Sequence, residues 1–231
     1  VRADRGWVAL RSSPRRRLLE LLAMQSGRTV PLDAIVGELW GDGPPEWPRE
    51  AVQTQIRRLR KTFTDLPVRS DDHGYLLDLP PGAVDALHMV MLVESASGLE
   101  DEELVSTLDQ ALALWSGEPF GGMAFGARHA AAAAHWAEVR SRALRLWASA
   151  QLRLGRPKPV ISRLRAERVG DFADESLYRL LIDALDQVGR EMEAVTEPPS
   201  PEVVEPVWTL PEHVDDPTGD RTGDQPGGSS R

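Results

Sequence analysis

Four apolar side chains between residues 52 and 63 fix both a helix and its orientation. Val52, Ile56, Leu59 and Phe63 fall at i, i+4, i+7 and i+11, the spacing of one narrow stripe on an α-helix. With that stripe against a core and successive residues about 100° apart, Thr54, Arg57 and Lys61 point directly outward. Glu50 and Arg58 flank them, Gln53 and Arg60 lie on one border, and Gln55 lies on the other. Pro48-Arg49 marks the start, so the helix runs from near Arg49 to about Phe63. Its outer face carries Arg57, Arg58, Arg60 and Lys61. In isolation such a face is either a solvated surface or a surface for a polyanion, and its setting has to decide.

That setting is informative. Residues 5–11 alternate enough for a short strand. Ser13-Pro14 supplies a serine cap and a proline at the first helical position. Leu18, Leu21, Leu22 and Met24 then share one face, and Gly27 closes the helix. A second short helix carries Leu32, Ile35, Val36 and Leu39 and stops at Trp40-Gly41. Gly41-Asp42-Gly43-Pro44-Pro45 is a loop by composition. After the basic helix, Val68–Ser70 and Tyr75–Asp78 read as strands around Asp71-Asp72-His73-Gly74, a hairpin. Strand, three helices and hairpin is the order of a winged helix, whose third helix enters the major groove while the hairpin reaches the neighbouring backbone.

From Val84 onward the pattern is helical, over about 84–97, 101–115, 127–154, 158–168 and 173–188, with Gly98, Gly117, Gly155 and Gly170 at or near the breaks. Paired helices with short breaks suggest a helical-hairpin array. Residues 197–231 hold seven prolines and eight acids and read as a disordered acidic tail. The net charge of −9 is unevenly spread, with +5 over residues 1–70, −8 over 71–196 and −6 over 197–231. A basic front end on an acidic body suits a polyanionic partner met by one face. The chain contains no cysteine, which excludes disulfides and thiolate chemistry and fits a reducing cytoplasm. No apolar run approaches the roughly 18–20 residues of a membrane helix. The first residue is Val1, as in a fragment or a chain begun at a GTG codon.

Three pieces in order carry a resemblance: Glu38-Leu39-Trp40-Gly41, the run from Val52 to Lys61, and Gly74-Tyr75-Leu76-Leu77. They resemble the OmpR/PhoB-type winged helix, and more closely the version in the Streptomyces antibiotic regulatory protein (SARP) family. Downstream, Ala111-Leu112-Ala113-Leu114-Trp115-Ser116-Gly117-Glu118-Pro119-Phe120 is similar to a signature of the bacterial transcriptional activator domain. The resemblance covers about residues 8–195. It implies an α+β winged helix-turn-helix domain over 1–80, an all-α, tetratricopeptide-like helical domain over 84–195, and the tail over 196–231. The family's β-platform is represented only by residues 1–11. The resemblance further implies binding to double-stranded DNA near promoters, often at direct repeats. A homodimer on DNA and activation through contact with RNA polymerase are also implied, with no cofactor. By match to the motif, Thr54 and Arg57 face bases, with Gln53 at the border. Arg58, Arg60 and Lys61 reach mainly phosphates, and Arg69 and His73 lie in the wing. Asp71 and Asp72 stand in that wing where basic or neutral residues are more usual. Together with the short platform they motivate an alternative, a degenerate paralogue acting as a protein-interaction module that keeps the winged helix as a scaffold.

Other constellations carry less. His129 and His135 are six residues apart on one helix, about 240° out of phase, and read as solvent or interface histidines rather than a ligand pair. Glu100–Glu103 is an acidic helix start, favoured by the helix dipole. Trp115, Trp136 and Trp147 are expected to pack the helical core. Glycine-rich phosphate loops, HExxH and GxSxG are absent, so the expectation is a regulator rather than an enzyme.

Overall fold

The computed structural model describes residues 2–3, 6–7, 10, 13–122, 126–167 and 174–196. The acidic segment beyond 196 lies outside them. At the front, β1 (Arg2–Ala3) pairs antiparallel with β2 (Gly6–Trp7), so of the strand expected over 5–11 only Gly6 and Trp7 are described as strand, and most of the rest lies outside the described residues. The helix α1 (Ser13–Met24) follows, then β3 (Val30–Pro31), α2 (Leu32–Trp40) and α3 (Pro48–Thr62). Gly41 ends α2 at φ 58°, and its amide donates to the carbonyl of Gly37, a glycine stop of the expected kind.

The hairpin of β4 (Val68–Ser70) and β5 (Gly74–Leu77) forms as expected, one residue earlier in its second strand. It also gains a strand that hydropathy patterning did not reveal. The order is β3-β5-β4, all antiparallel, with Val30 opposite Tyr75 and Pro31 opposite Gly74. Two residues are too few to show alternation, and a proline is tolerated there because β3 is an edge strand. Gly74 is required by the close approach: a Cβ on it would lie 2.0 Å from the Val30 carbonyl oxygen.

One core belongs to this domain. Leu18, Leu21 and Leu22 of α1, Ile35 of α2, and Val52, Ile56 and Leu59 of α3 are essentially inaccessible, and Phe63 packs with them just past the end of α3. The stripe on the third helix is therefore the face that meets the core.

The second unit is all-helical: α4 (Asp85–Ser95), α5 (Asp101–Ala113), α6 (Ala127–Arg153), α7 (Pro157–Ala166) and α8 (Glu175–Thr196). Its core gathers Met89, Leu108, Leu144, Trp147, Val160 and Leu164. Trp136 and Trp147 are buried and Trp115 is partly buried against the same core, as expected. Arg163 lies over the Trp147 ring at 4.3 Å and donates to Asp109 at 2.8 Å, which ties α7 to α6 and α5. Among the described residues no helix is long and apolar enough to cross a membrane, and no cluster of His, Asp and Glu is arranged to hold a metal ion.

Candidate DNA-reading face

With Val52, Ile56 and Leu59 in the core, Arg57, Arg58 and Lys61 are exposed on the opposite side of α3, and Gln53, Thr54 and Gln55 are partly exposed. None of Arg57, Arg58 and Lys61 makes an ion pair within the described residues. This contrasts with Arg16, Arg145, Arg153, Arg156 and Arg163, each held by a carboxylate. Unpaired cations on one helix face leave their full hydrogen-bonding capacity outward, five N–H donors for each arginine and three for lysine.

The hydroxyl of Thr54 donates to the Glu50 carbonyl at 2.8 Å. Its donor is therefore spent inside the helix, and it presents a methyl group and an acceptor oxygen outward. Arg60 is exposed but committed: its Nε and Nη2 donate to the Val68 carbonyl at 3.2 and 2.8 Å. This fork ties the C-terminal half of α3 to the first wing strand, a role the helical wheel did not reveal. Sequence spacing places Arg60 at the border of the face but does not show that β4 passes beside that border.

In the wing, Arg69 pairs with Asp78 at 2.7 Å, both groups well exposed. His73 is exposed, and its carbonyl accepts the amide of Leu32 at 3.1 Å. The acidic residues of the wing divide in function. Asp71 Oδ1 accepts the amides of His73 and Gly74, each at 2.8 Å, a side-chain-closed turn. Its Oδ2 accepts the Thr29 hydroxyl. The Thr29 hydroxyl foremost, then the His73 amide, hold the Asp71 carboxyl below its ordinary range. Asp71 thus builds the tip of the wing, and Asp72 is exposed.

Trp47, immediately before α3, is 65% exposed. Periodicity gives no role to this residue. The available signal is its place directly ahead of Pro48, at the N-terminal cap position of α3.

The Arg60 fork sets the first wing strand beside the C-terminal half of α3, which fits a groove-reading element with a flanking backbone contact. Two family models match the chain: Transcriptional regulatory protein, C terminal, over residues 9–77, and Bacterial transcriptional activator domain over residues 84–197. The transcriptional regulator RedD of Streptomyces coelicolor is 31% identical over 197 residues, covering 80% of this chain and 56% of RedD. The regulatory protein DnrI of Streptomyces peucetius is 31% identical over 196 residues, 78% of this chain and 72% of DnrI. AfsR of Streptomyces coelicolor is also 31% identical, but only 19% of its length is covered. In fold, the chain is similar to EmbR of Mycobacterium tuberculosis, solved with a low-affinity phosphopeptide. The TM-score is 0.70 at 24% identity, over 81% of this chain and 52% of that one. The chain thus spans little more than half of RedD and of the EmbR chain. With DnrI matched over most of its length and both halves of the fold accounted for, the chain belongs to the SARP family of transcriptional regulators, combining an OmpR/PhoB-type winged helix with a bacterial transcriptional activator domain.

Proposed function

We propose that this chain binds double-stranded DNA at promoters through the outer face of α3 and activates transcription through its helical array. The observation that carries the reading is the unpaired, exposed set of Arg57, Arg58 and Lys61 on the side of α3 opposite its buried stripe. Arg57 lies nearest the centre of that face and suits a bidentate contact to guanine O6 and N7, worth about 1–3 kcal/mol of discrimination. Thr54, with its methyl group and acceptor oxygen outward, suits a thymine methyl or a base donor beside it, and Gln53 extends the face. Arg58 and Lys61 suit phosphates, which supply affinity and set register without reading sequence. Arg60 acts at one remove by holding the wing against α3. Arg69 and His73 approach the neighbouring backbone from the wing, and Trp47 adds an apolar contact at the opposite end of the helix. RNA polymerase is the partner assigned to the array, and two copies on adjacent sites form the working unit. Cytoplasmic DNA is the setting.

Asp71 weighed against this reading as a carboxylate near phosphate. Its engagement by two amides and a hydroxyl gives it a structural reason to be there, and in an exposed wing its charge is screened within about 8–10 Å at ordinary salt. The test is selection of bound sequences from a randomised duplex pool by the full chain, followed by titration of the selected duplex. Enrichment of one short motif supports the proposal. A folded chain that enriches nothing and ignores DNA at low salt contradicts it and favours the protein-interaction alternative.

A further inference from the structure

Where the two domains meet, charge is buried. Glu38, near the end of α2 in the winged helix, is 7% exposed, and His129, in the first turn of α6 in the array, is inaccessible. The Glu38 carboxylate faces the open N-terminus of the 27-residue α6. Its Oε1 accepts the His129 amide at 3.1 Å and its Oε2 accepts the Arg128 amide at 3.3 Å. The same Oε1 lies 2.6 Å from His129 Nδ1. The carboxylate therefore satisfies amides that the first turn of a helix leaves without intrahelical partners, at the end where a negative charge is favoured. An N-cap normally comes from the preceding residue; here that residue is Gly126, with no side chain, and the cap is supplied from about ninety positions earlier in the chain. A Cβ on Gly126 would lie 2.5 Å from Glu38 Oε1, so the glycine leaves room for the carboxylate.

The joint has further members. Glu20 of α1 places Oε2 3.6 Å from His129 Nε2, so the ring lies between two carboxylates of the winged helix. Arg16 of α1 donates to Glu20 at 2.7 Å and, with its other nitrogen, to the Phe120 carbonyl at 2.7 Å. Phe120 is held at φ 57°, a conformation costly for a side-chain-bearing residue, and its ring meets the His129 ring edge-on at 4.7 Å. The segment ending Gly117-Glu118-Pro119-Phe120 thus bends back onto α1 and the His129 ring.

We propose that Glu38 is the positioning residue of this regulator, capping α6 across the domain boundary and, with His129 and Glu20, locking the array to the winged helix as one body. Glu38 lies on α2, which packs against α3, so the array is placed with reference to the reading helix itself. The lock is a property of the free protein and stands whether or not α3 binds DNA. The charged groups set against His129 include Glu20 from α1 and Glu38 from α2, with Arg16 bound to Glu20 and Arg128 adjacent on α6. Burial pushes the His129 imidazole down, but Glu20 and Glu38 outweigh it and leave its pKa raised. Burial pushes the Glu38 carboxyl up, but the His129 ring and the two amides outweigh it and leave its pKa lowered. The stabilisation from His129 is complete below its ordinary titration range and is lost as pH rises through its raised value. That from Glu38 is lost only as pH falls through its lowered value. The lock is tightest between those limits.

The absence of native cysteine makes the test direct. Thr62→Cys on α3 and Ser106→Cys on α5, both exposed positions, carry spin labels in the full chain, and the interdomain distance distribution is read by pulsed electron resonance. The parent should give one narrow distribution at mildly acidic to neutral pH that widens as pH rises through the His129 titration. Glu38→Ala and Gly126→Ala should lose the narrow distribution while far-UV circular dichroism stays helical. Glu38→Gln, which keeps an acceptor and the side-chain volume, should recover part of the narrowing and weaken its pH dependence. A broad distribution in the parent, or parental width in both Glu38→Ala and Gly126→Ala at every pH, overturns the proposal.

Discussion

Gly74 and Asp71 show how single residues set the wing. At Gly74 the neighbouring strand comes so near that any side chain meets backbone: a Cβ would sit 2.0 Å from the Val30 oxygen and 3.1 Å from the Pro31 Cα. Backbone cannot rotate away as a flexible side chain can. Gly74→Ala should therefore destabilise the winged helix by about 1–3 kcal/mol, in the range of overpacked sites, read as a lower denaturant midpoint with the array's helical signal retained. At Asp71 the effect is one of charge. Its folded pKa is depressed, so the turn it closes is fully supported above the ordinary aspartate range and loses that support as pH falls through the depressed value. The amide resonances of His73 and Gly74 should titrate with a midpoint below that of a free aspartate. Thr29→Val should move that midpoint upward, because the Thr29 hydroxyl is the largest contributor to the depression; an unmoved midpoint contradicts this account of the turn.

At the scale of elements, α3 and the hairpin act together because Arg60 bridges them. Removing its two hydrogen bonds to the Val68 carbonyl should cost about 1 kcal/mol, since net hydrogen-bond contributions are small and this guanidinium is solvated. Arg60→Ala should accelerate hydrogen exchange at the wing amides while leaving the core of α1, α2 and α3 protected. The elements also show what a sequence makes visible. The stripe of Val52, Ile56, Leu59 and Phe63, the glycine stop at Gly41 and the turn around Asp71-Asp72-His73-Gly74 are local signals, and the helices and hairpin formed where those signals lie. The strand Val30–Pro31 was not visible because its pairing is with residues more than forty positions away. The motif match points Arg60 to phosphate and the helical angle puts it on a border of the face, but neither shows its partner, which lies on another element. Glu38 left a faint trace: it shares a face with Ile35, where an apolar residue is expected, and a carboxylate in such a place signals a buried partner. No periodicity names that partner, because His129 comes from the other domain.

At the scale of the molecule, two apolar cores support a basic winged helix and an acidic helical array, and a small polar joint lies between them. The cations of the outer α3 face are left without ion pairs among the described residues, whereas several on the array are matched to carboxylates, as in Arg153 with Asp101 and Arg156 with Glu102. The most direct test of the central claim compares parent, Arg57→Ala and Lys61→Ala chains on a selected duplex and a scrambled one across a salt series. Arg57→Ala should bring the two duplexes closer in affinity by about 1–3 kcal/mol. Lys61→Ala should weaken both equally and reduce the log–log salt slope by about 1. Equal affinities and unchanged salt slopes for all three folded chains would contradict it, and α3 would then be no more than a solvated face.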